Sequence, residues 1–315
     1  MSVVQRLSWN RGSAVAAMPK VLPCHACGKK RQMRYYSLRQ QMRKNRRKCR
    51  DCLNQGQLDD VVIQPAGPHT HTVILLHGLY CRADDFDQVP VHMKALFGED
   101  LPEADGIKYI LPNAPVRTIT WGELPEDHEE GVPAWYDYYT CKCGEMEDDE
   151  IDMNHWHELS NKIHRCIEEE LQELGDPSKI IIGGNSQGGT IACNVALTSE
   201  YTLGALFILR SCLLSYTEVN EDWKSTPVYI FTAELDDTFI AELTSQRFAK
   251  LKETGFNIVQ WVEKDLRHED DSKCELLYTC KWIAEVFFKK TVEVKEVDRP
   301  DGPSPADEDD SEAEE

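Results

Sequence analysis

The feature of this chain that most restricts its fold is the turn Gly184-Asn185-Ser186-Gln187-Gly188, which separates two apolar segments. The preceding run IIIG predicts a buried strand, and the following stretch QGGTIACNVAL has helical periodicity. A G-x-S-x-G turn between strand and helix needs small residues on both sides of the serine, because the two elements approach closely. The pattern predicts that Ser186 stands at a helix N-terminus as a nucleophile. The alternative is a glycine-rich turn that binds phosphate or only reverses the chain.

Segments of two alternating types surround this turn. Strand-like runs occupy residues 61–64, 72–76, 108–111, 179–183, 205–209, 228–231 and 257–262, and helix-like stretches occupy residues 85–97, 154–174, 187–197, 241–254 and 272–288. Strands that alternate with helices at this spacing predict an α/β fold, a mostly parallel sheet with helices on both faces. Ligands of such sheets bind at the carboxyl ends of the strands.

A nucleophilic serine needs a general base and an orienting acid, and the sequence restricts both. Where a G-x-S-x-G turn carries a nucleophile between a strand and a helix of an α/β sheet, the chain order is serine, acid, histidine. Of the ten histidines, only His268 follows Ser186, and it lies in a loop between a predicted strand and the last predicted helix. The acid is expected after the strand PVYIFTA, which leaves Asp236 and Asp237 open.

Two backbone amides are expected to stabilise an oxyanion beside Ser186. One is the N–H of Gln187, directly after the nucleophile at the start of the helix. The other is the N–H of Leu79, in the loop that follows the buried run at 72–76. The alternative for this loop is that His77-Gly78 simply ends a strand.

Six segments in order resemble the acyl-protein thioesterase and carboxylesterase branch of the α/β-hydrolases. They are LLHGL at 75–79, LPNAP at 111–115, AWYD at 134–137, GGNSQGG at 183–189, PVYIFTAELDD at 227–237 and the single histidine at 268. The resemblance implies a serine hydrolase of carboxylic esters or thioesters that works through an acyl-enzyme and needs no catalytic cofactor. It implies Ser186 as nucleophile, Asp236 as acid, His268 as base, and Leu79 and Gln187 as oxyanion donors. Lipidated proteins, lysophospholipids and small esters are all compatible substrates.

The preference for Asp236 over Asp237 rests on the family's G-x-x-D pattern. The sequence also departs from the family, with Tyr80, Asn185 and Thr232 where Gly, Phe and His are common. These departures motivate an alternative, a hydrolase-fold binding protein with weak or no activity. We favour the enzyme, because a chain that had lost activity would be expected to have lost a member of the triad.

Two segments near the expected site have open roles. Trp121, Trp135 and Tyr136 fall where such enzymes border the acyl channel, and packing in the core or a lid is an equal alternative. Residues 138–153 form an acidic connection that is expected to help cover the site. A metal site at its Cys141 and Cys143 is disfavoured.

A basic module with paired cysteines precedes the α/β region. Residues 1–60 carry 14 Lys and Arg against 3 Asp and Glu, whereas the remainder carries 21 against 52. Cys24-x-x-Cys27 and Cys49-x-x-Cys52 are separated by 21 residues, a spacing that suits a structural tetrahedral Zn²⁺. The basic, tyrosine-containing stretch between them permits nucleic acid binding. Docking on an acidic protein surface, including that of this chain, is an equal alternative.

The sequence therefore predicts four regions: a disordered leader at 1–19, the zinc-finger-like module at 20–55, the hydrolase domain at 60–290 and a disordered acidic tail at 291–315. No run approaches the length of a transmembrane helix, and the start lacks the apolar core of a secretory signal. Twelve cysteines without an export signal predict thiols and metal ligands in a reducing compartment. We expect a cytoplasmic protein, with the nucleus as the other location that the basic module allows.

Overall fold

The computed structural model of the protein describes residues 58–86, 89–90, 93, 101–120, 128–139 and 150–290. It also describes two short strands, β1 (Val21–Pro23) and β2 (Lys30–Gln32), which pair antiparallel. The four predicted zinc ligands, the leader, the acidic tail and most of the predicted helix at 85–97 lie outside the described residues. The predictions made for them stay predictions.

Nine further strands are present in the described part of the chain: β3 (Val61–Ile63), β4 (His71–Leu76), β5 (Ile107–Leu111), β6 (Val116–Thr120), β7 (His128–Pro133), β8 (Ile180–Asn185), β9 (Ala205–Leu209), β10 (Val228–Ala233) and β11 (Ile258–Glu263). Seven of them form one sheet in the order β11-β10-β9-β8-β4-β5-β3. Every neighbouring pair is parallel except β3 and β5, so the predicted mostly parallel α/β fold is confirmed. Strands β6 and β7 form a separate antiparallel hairpin that the sequence analysis did not predict.

The central strands are buried on both faces, which explains their continuous apolar runs. In β8, Ile180 and Ile182 face one hydrophobic cluster while Ile181 faces the other. In β9, Leu206 and Ile208 face the first cluster, and Phe207 belongs to the second. Because neighbouring side chains of a strand point to opposite faces, only apolar residues fit throughout.

In the described ranges, four α-helices cover the sheet: α1 (Met153–Leu174), α2 (Gln187–Thr198), α3 (Ala241–Glu253) and α4 (Lys273–Phe288). Side chains of α1, α2 and α3 contribute to the first cluster, and those of α4 contribute to the second. Helix α1 is delimited by its ends: the Asp152 side chain accepts from the Asn154 and His155 amides, and Gly175 at φ 67° ends the helix. The ends of all four helices lie within one residue of the ranges that the sequence predicts.

The winding of the sheet reverses between β4 and β8. From β4 the chain adds β5 on one side, and it then returns to place β8, β9, β10 and β11 in succession on the other side. Such a reversal opens a crevice at the carboxyl ends of the two strands, where ligands of α/β sheets bind. The loop after β4 contains Leu79, and the turn after β8 contains Ser186.

None of the six cysteines in the described ranges forms a disulfide, in line with the prediction of thiols. A search of the same residues finds no helix with the length and apolar character needed to cross a bilayer.

Candidate active site

Ser186 lies in a sharp turn between β8 and α2 with backbone angles of φ 52° and ψ −126°. Side-chain-bearing residues rarely adopt such angles, and they persist only where surrounding contacts hold them. The Ser186 amide donates to the Leu209 carbonyl at 2.9 Å, and the Ser211 hydroxyl donates to the Ser186 carbonyl at 2.6 Å. These contacts fix the serine at the carboxyl edge of the sheet, as the G-x-S-x-G turn requires.

The two glycines of the motif are required by space. A Cβ at Gly184 would lie 2.5 Å from the Gly188 carbonyl carbon, and one at Gly188 would lie 2.3 Å from the His77 carbonyl oxygen. Both obstacles are backbone atoms, which cannot rotate away. Helix α2 can therefore approach β4 and β8 only because these positions carry no side chain.

Three side chains from distant parts of the chain form a continuous line of hydrogen bonds. Ser186 Oγ lies 2.9 Å from His268 Nε2, and His268 Nδ1 lies 2.9 and 3.0 Å from the two carboxylate oxygens of Asp236. A carboxylate only accepts, so we assign the imidazole proton to Nδ1. Nε2 is then free to accept the Ser186 proton, which is the arrangement that activates a serine nucleophile.

The structure places Asp236 and Asp237 differently. The Asp236 side chain is fully buried, and its Oδ1 accepts from the backbone amides of Thr238 and Phe239 at 2.9 and 2.7 Å. Asp237 is exposed to solvent. Their position after the strand left both carboxylates as candidates for the acid. The structure brings Asp236 to the His268 imidazole.

The two expected oxyanion donors belong to segments that adjoin Ser186. A Cβ at Gly78 would come within 3.1 Å of Ser186 Cβ, so the loop that carries Leu79 packs directly against the nucleophile. Gln187 is the first residue of α2. Among the described residues, neither of these amides donates to a protein acceptor, which leaves both N–H groups available for an oxyanion.

His77 holds the loop after β4 in place. It is fully buried, with Nδ1 2.8 Å from the Gly78 carbonyl and Nε2 3.0 Å from the Ala114 amide. The amide must donate to Nε2, so Nδ1 carries the proton. Burial lowers the pKa of His77 to about 4, which keeps the ring neutral at pH 7 and preserves both hydrogen bonds.

Trp135 and Tyr136 belong to the core and do not line the cleft at Ser186. Both are almost completely buried. Trp135 Nε1 donates to the His77 carbonyl at 2.6 Å, and the Gln187 side chain joins the backbone groups of Trp135 and Tyr136. Of the two alternatives left open by the sequence, the structure favours core packing for this pair. Trp121 and the residues Cys141 and Cys143 lie outside the described residues.

A cleft of about 70 Å³ opens over the nucleophile and the base. It is lined by Gly78, Leu79, Cys81, Asn185, Ser186, Arg210, His268, Glu269, Asp270 and Asp271. Three of these residues are carboxylates, whereas the single Arg is paired with Glu275 outside the cleft. The cleft is therefore polar and carries unbalanced negative charge.

Arg210 is the site residue that the sequence analysis missed. It directly follows β9, and its buried side chain donates to backbone carbonyls of the loop that carries His268. A charged residue directly after an all-apolar strand, at the edge where ligands bind, was the available signal.

Comparison with known proteins shows the family and the fold that this chain shares. The family model described as Phospholipase/Carboxylesterase matches residues 58–272. An acyl-protein thioesterase 1 of Neurospora crassa is 27% identical over 212 residues, which cover 63% of this chain and 80% of that protein. The crystal structure of Arabidopsis thaliana SOBER1 shares the fold with a TM-score of 0.58 at 23% identity, covering 69% of this chain and 98% of that one. The crystal structure of Zea mays acyl-protein thioesterase 2 superposes with a TM-score of 0.53 at 20% identity, covering 72% and 97%.

The matched region contains the whole sheet, the turn at Ser186 and the loops that bring Asp236 and His268 to it. The chain therefore belongs to the phospholipase/carboxylesterase family of α/β-hydrolases, and it is a serine hydrolase of esters or thioesters.

Proposed function

We propose that the protein cleaves acyl esters or thioesters through a Ser186–His268–Asp236 triad and an acyl-enzyme intermediate. The observation that carries the proposal is the line of hydrogen bonds from Ser186 Oγ through the imidazole to the buried carboxylate. It supplies a nucleophile, a base and an orienting acid in the geometry that acyl transfer needs.

The first half of the reaction acylates the serine. His268 Nε2 takes the proton of Ser186 Oγ as the oxygen attacks the acyl carbon, and the Leu79 and Gln187 amides stabilise the oxyanion. The tetrahedral intermediate then expels the alcohol or thiol, which receives the proton from His268. In the second half, His268 takes a proton from a water that attacks the acyl carbon. The tetrahedral intermediate then expels Ser186 Oγ, which regains the proton from His268, and the carboxylic acid is released. Asp236 stabilises the imidazolium in both halves.

The substrates that we propose are acyl thioesters of lipidated proteins, by analogy with the relatives named acyl-protein thioesterases. Lysophospholipids and small carboxylic esters are the competing substrate classes. A comparison of hydrolysis rates for the three substrate classes distinguishes between them.

A fluorophosphonate probe tests the proposal directly. We expect it to label the wild-type protein and to leave Ser186→Ala unlabelled, while Ser178→Ala, at an exposed serine on the same chain, is labelled like the wild type. Turnover of a p-nitrophenyl ester is expected to disappear in His268→Ala. A folded wild-type protein that is neither labelled nor active would instead support the binding-protein alternative.

We further propose that Cys24, Cys27, Cys49 and Cys52 bind one structural Zn²⁺ and that the basic segment between the pairs docks on a protein or nucleic acid partner. The spacing of the cysteines supports the metal. Purified protein is expected to contain one zinc per chain, and Cys49→Ser with Cys52→Ser is expected to lose it. Because the cysteines are expected to need a reducing compartment, we propose a cytoplasmic location.

A further inference from the structure

A buried guanidinium links the strand beside the nucleophile to the loop that carries the base. Arg210 directly follows β9 and is 7% exposed. Its Nε and Nη2 donate to the two carboxylate oxygens of Glu275, in the first turn of α4, at 2.9 and 2.7 Å. This is a bidentate ion pair, the geometry that arginine supports and lysine does not.

The same guanidinium holds the backbone of the histidine loop. Its Nη1 donates to the carbonyl of His268 at 2.7 Å and to the carbonyl of Asp270 at 2.6 Å. Arg210 therefore holds the loop at the base itself and two residues beyond it. With Glu275 holding the other side of the guanidinium, the loop is tied to both the sheet and α4.

The backbone around Arg210 also contacts the nucleophile turn. The Leu209 carbonyl accepts from the Ser186 amide, the Arg210 amide donates to the Phe231 carbonyl, and the Ser211 hydroxyl donates to the Ser186 carbonyl. Residues 209–211 thus touch the nucleophile through their backbone and Ser211, and the base through the Arg210 side chain.

Two properties indicate that an arginine is needed at this position. Arg210 has φ 46°, a conformation that glycine adopts without strain, so the contacts of the side chain must offset a backbone cost. The side chain also donates to Glu275 through two nitrogens and to two backbone carbonyls through the third, which requires the several donors of a guanidinium.

We propose that Arg210 is a positioning residue for acyl transfer, which acts by holding the His268 loop against the Ser186 turn through its ion pair with Glu275. The inference rests on the proposed function, because it concerns the alignment of that triad. Arg210 itself contacts no reacting atom.

The test compares Arg210→Met, Arg210→Ala, Arg210→Lys and Glu275→Gln with the wild type. In Arg210→Met, kcat for a p-nitrophenyl ester is expected to fall on the order of 10²-fold, as for a reacting group displaced by about 1 Å, with KM little changed. The rate of fluorophosphonate labelling is expected to fall in parallel. Arg210→Lys keeps one charged donor, so its kcat is expected to lie between those of Arg210→Met and the wild type. Guanidinium ion at non-denaturing concentrations is expected to restore labelling of Arg210→Ala.

The control is Arg247→Met, which removes a guanidinium that donates to the Leu213 carbonyl from α3. It is expected to leave kcat unchanged. If Arg210→Met does not fold, Glu275→Gln and Arg210→Lys decide, because both keep a polar side chain of similar size at the ion pair.

Wild-type kcat in a folded Arg210→Met, or in both Glu275→Gln and Arg210→Lys, would overturn the inference. A loss that appears only in KM, or that neither lysine nor guanidinium relieves, would also overturn it. Absence of labelling and turnover in the wild type would instead refute the proposed function, so the two failures are distinguishable.

Discussion

The substitution Asp236→Asn tests the hydrogen-bond chain at its most buried member. The carboxylate is fully buried; its Oδ1 accepts from two backbone amides, and both of its oxygens lie within 3.0 Å of His268 Nδ1. Asparagine keeps one oxygen, which the Thr238 and Phe239 amides retain. The new NH₂ group then faces the Nδ1–H of His268, and two donors cannot share a hydrogen bond.

The imidazole resolves this conflict by moving its proton to Nε2. That nitrogen then faces Ser186 Oγ as a donor and cannot accept its proton. In triads of this type, the same change lowers kcat by about 10⁴-fold, which corresponds to about 5 kcal/mol of transition-state stabilisation. The folded state also loses charge-assisted hydrogen bonds, which destabilises it by about 1–3 kcal/mol.

The assay is the initial rate of p-nitrophenyl butyrate hydrolysis, measured with thermal unfolding of the same preparations. Asp237→Asn is the matched control: the residue is adjacent and exposed, and the chemical change is identical. We expect wild-type rates from the control and a folded, nearly inactive Asp236→Asn. Equal losses in the two variants, or an Asp236→Asn rate within about tenfold of wild type, would refute the assigned geometry.

Three further predictions follow from the site. A Cβ at Gly188 would meet the His77 and Leu76 carbonyl oxygens at 2.3 and 2.6 Å, so Gly188→Ala should lower the free energy of urea unfolding by about 3 kcal/mol. Gly67→Ala, whose nearest atom would be 3.5 Å away, should leave it unchanged, and equal effects would contradict this account. The pKa of His77 is about 4 in the fold and about 6.5 when unfolded, so the unfolded chain binds more protons between these values. The contribution of the neutral ring to the free energy of unfolding is thus complete above pH 6.5, and about 3 kcal/mol of it is lost as the pH falls to 4. His77→Asn should flatten this pH dependence. Parallel pH profiles of unfolding free energy for the variant and the wild type would argue against it. The carboxylates at the cleft should make kcat/KM several-fold higher for a cationic than for an anionic ester of the same acyl group at low salt. Glu269→Gln with Asp271→Asn should reduce this ratio of kcat/KM values. A ratio insensitive to salt and to both substitutions would count against an electrostatic effect.

Ser186 and His268 could be predicted because the information for each is local or exclusive. The turn after β8 can be recognised from its glycines. They are required because the backbones of the strand and the helix approach each other closely there. His268 is the single histidine downstream of the serine. The central strands of the sheet could be predicted equally well, since burial on both faces leaves continuous apolar runs in the sequence.

Other elements left weaker signals. The hairpin of β6 and β7 was missed because its sequences, VRTIT and HEEGVP, are largely polar and only partly buried, so neither apolar run nor strict alternation marks them. Trp135 and Tyr136 could not be assigned to channel or core, because an aromatic pair suits both. Their burial depends on partners such as His77 and Thr190, more than 50 residues away along the chain.

The sequence by itself predicted the fold class and singled out Ser186 and His268, which the structure brings within hydrogen-bonding distance of each other. The tertiary structure decided between Asp236 and Asp237, which are chemically identical neighbours and which only the path of the loop after β10 distinguishes, with one against the imidazole and the other in solvent. It also decided the role of Arg210, whose contacts to the His268 loop span 58 residues. Groups so far apart in sequence are brought to hydrogen-bonding distance, to within a few tenths of an ångström, by the packing of the whole sheet. No local sequence pattern encodes that precision.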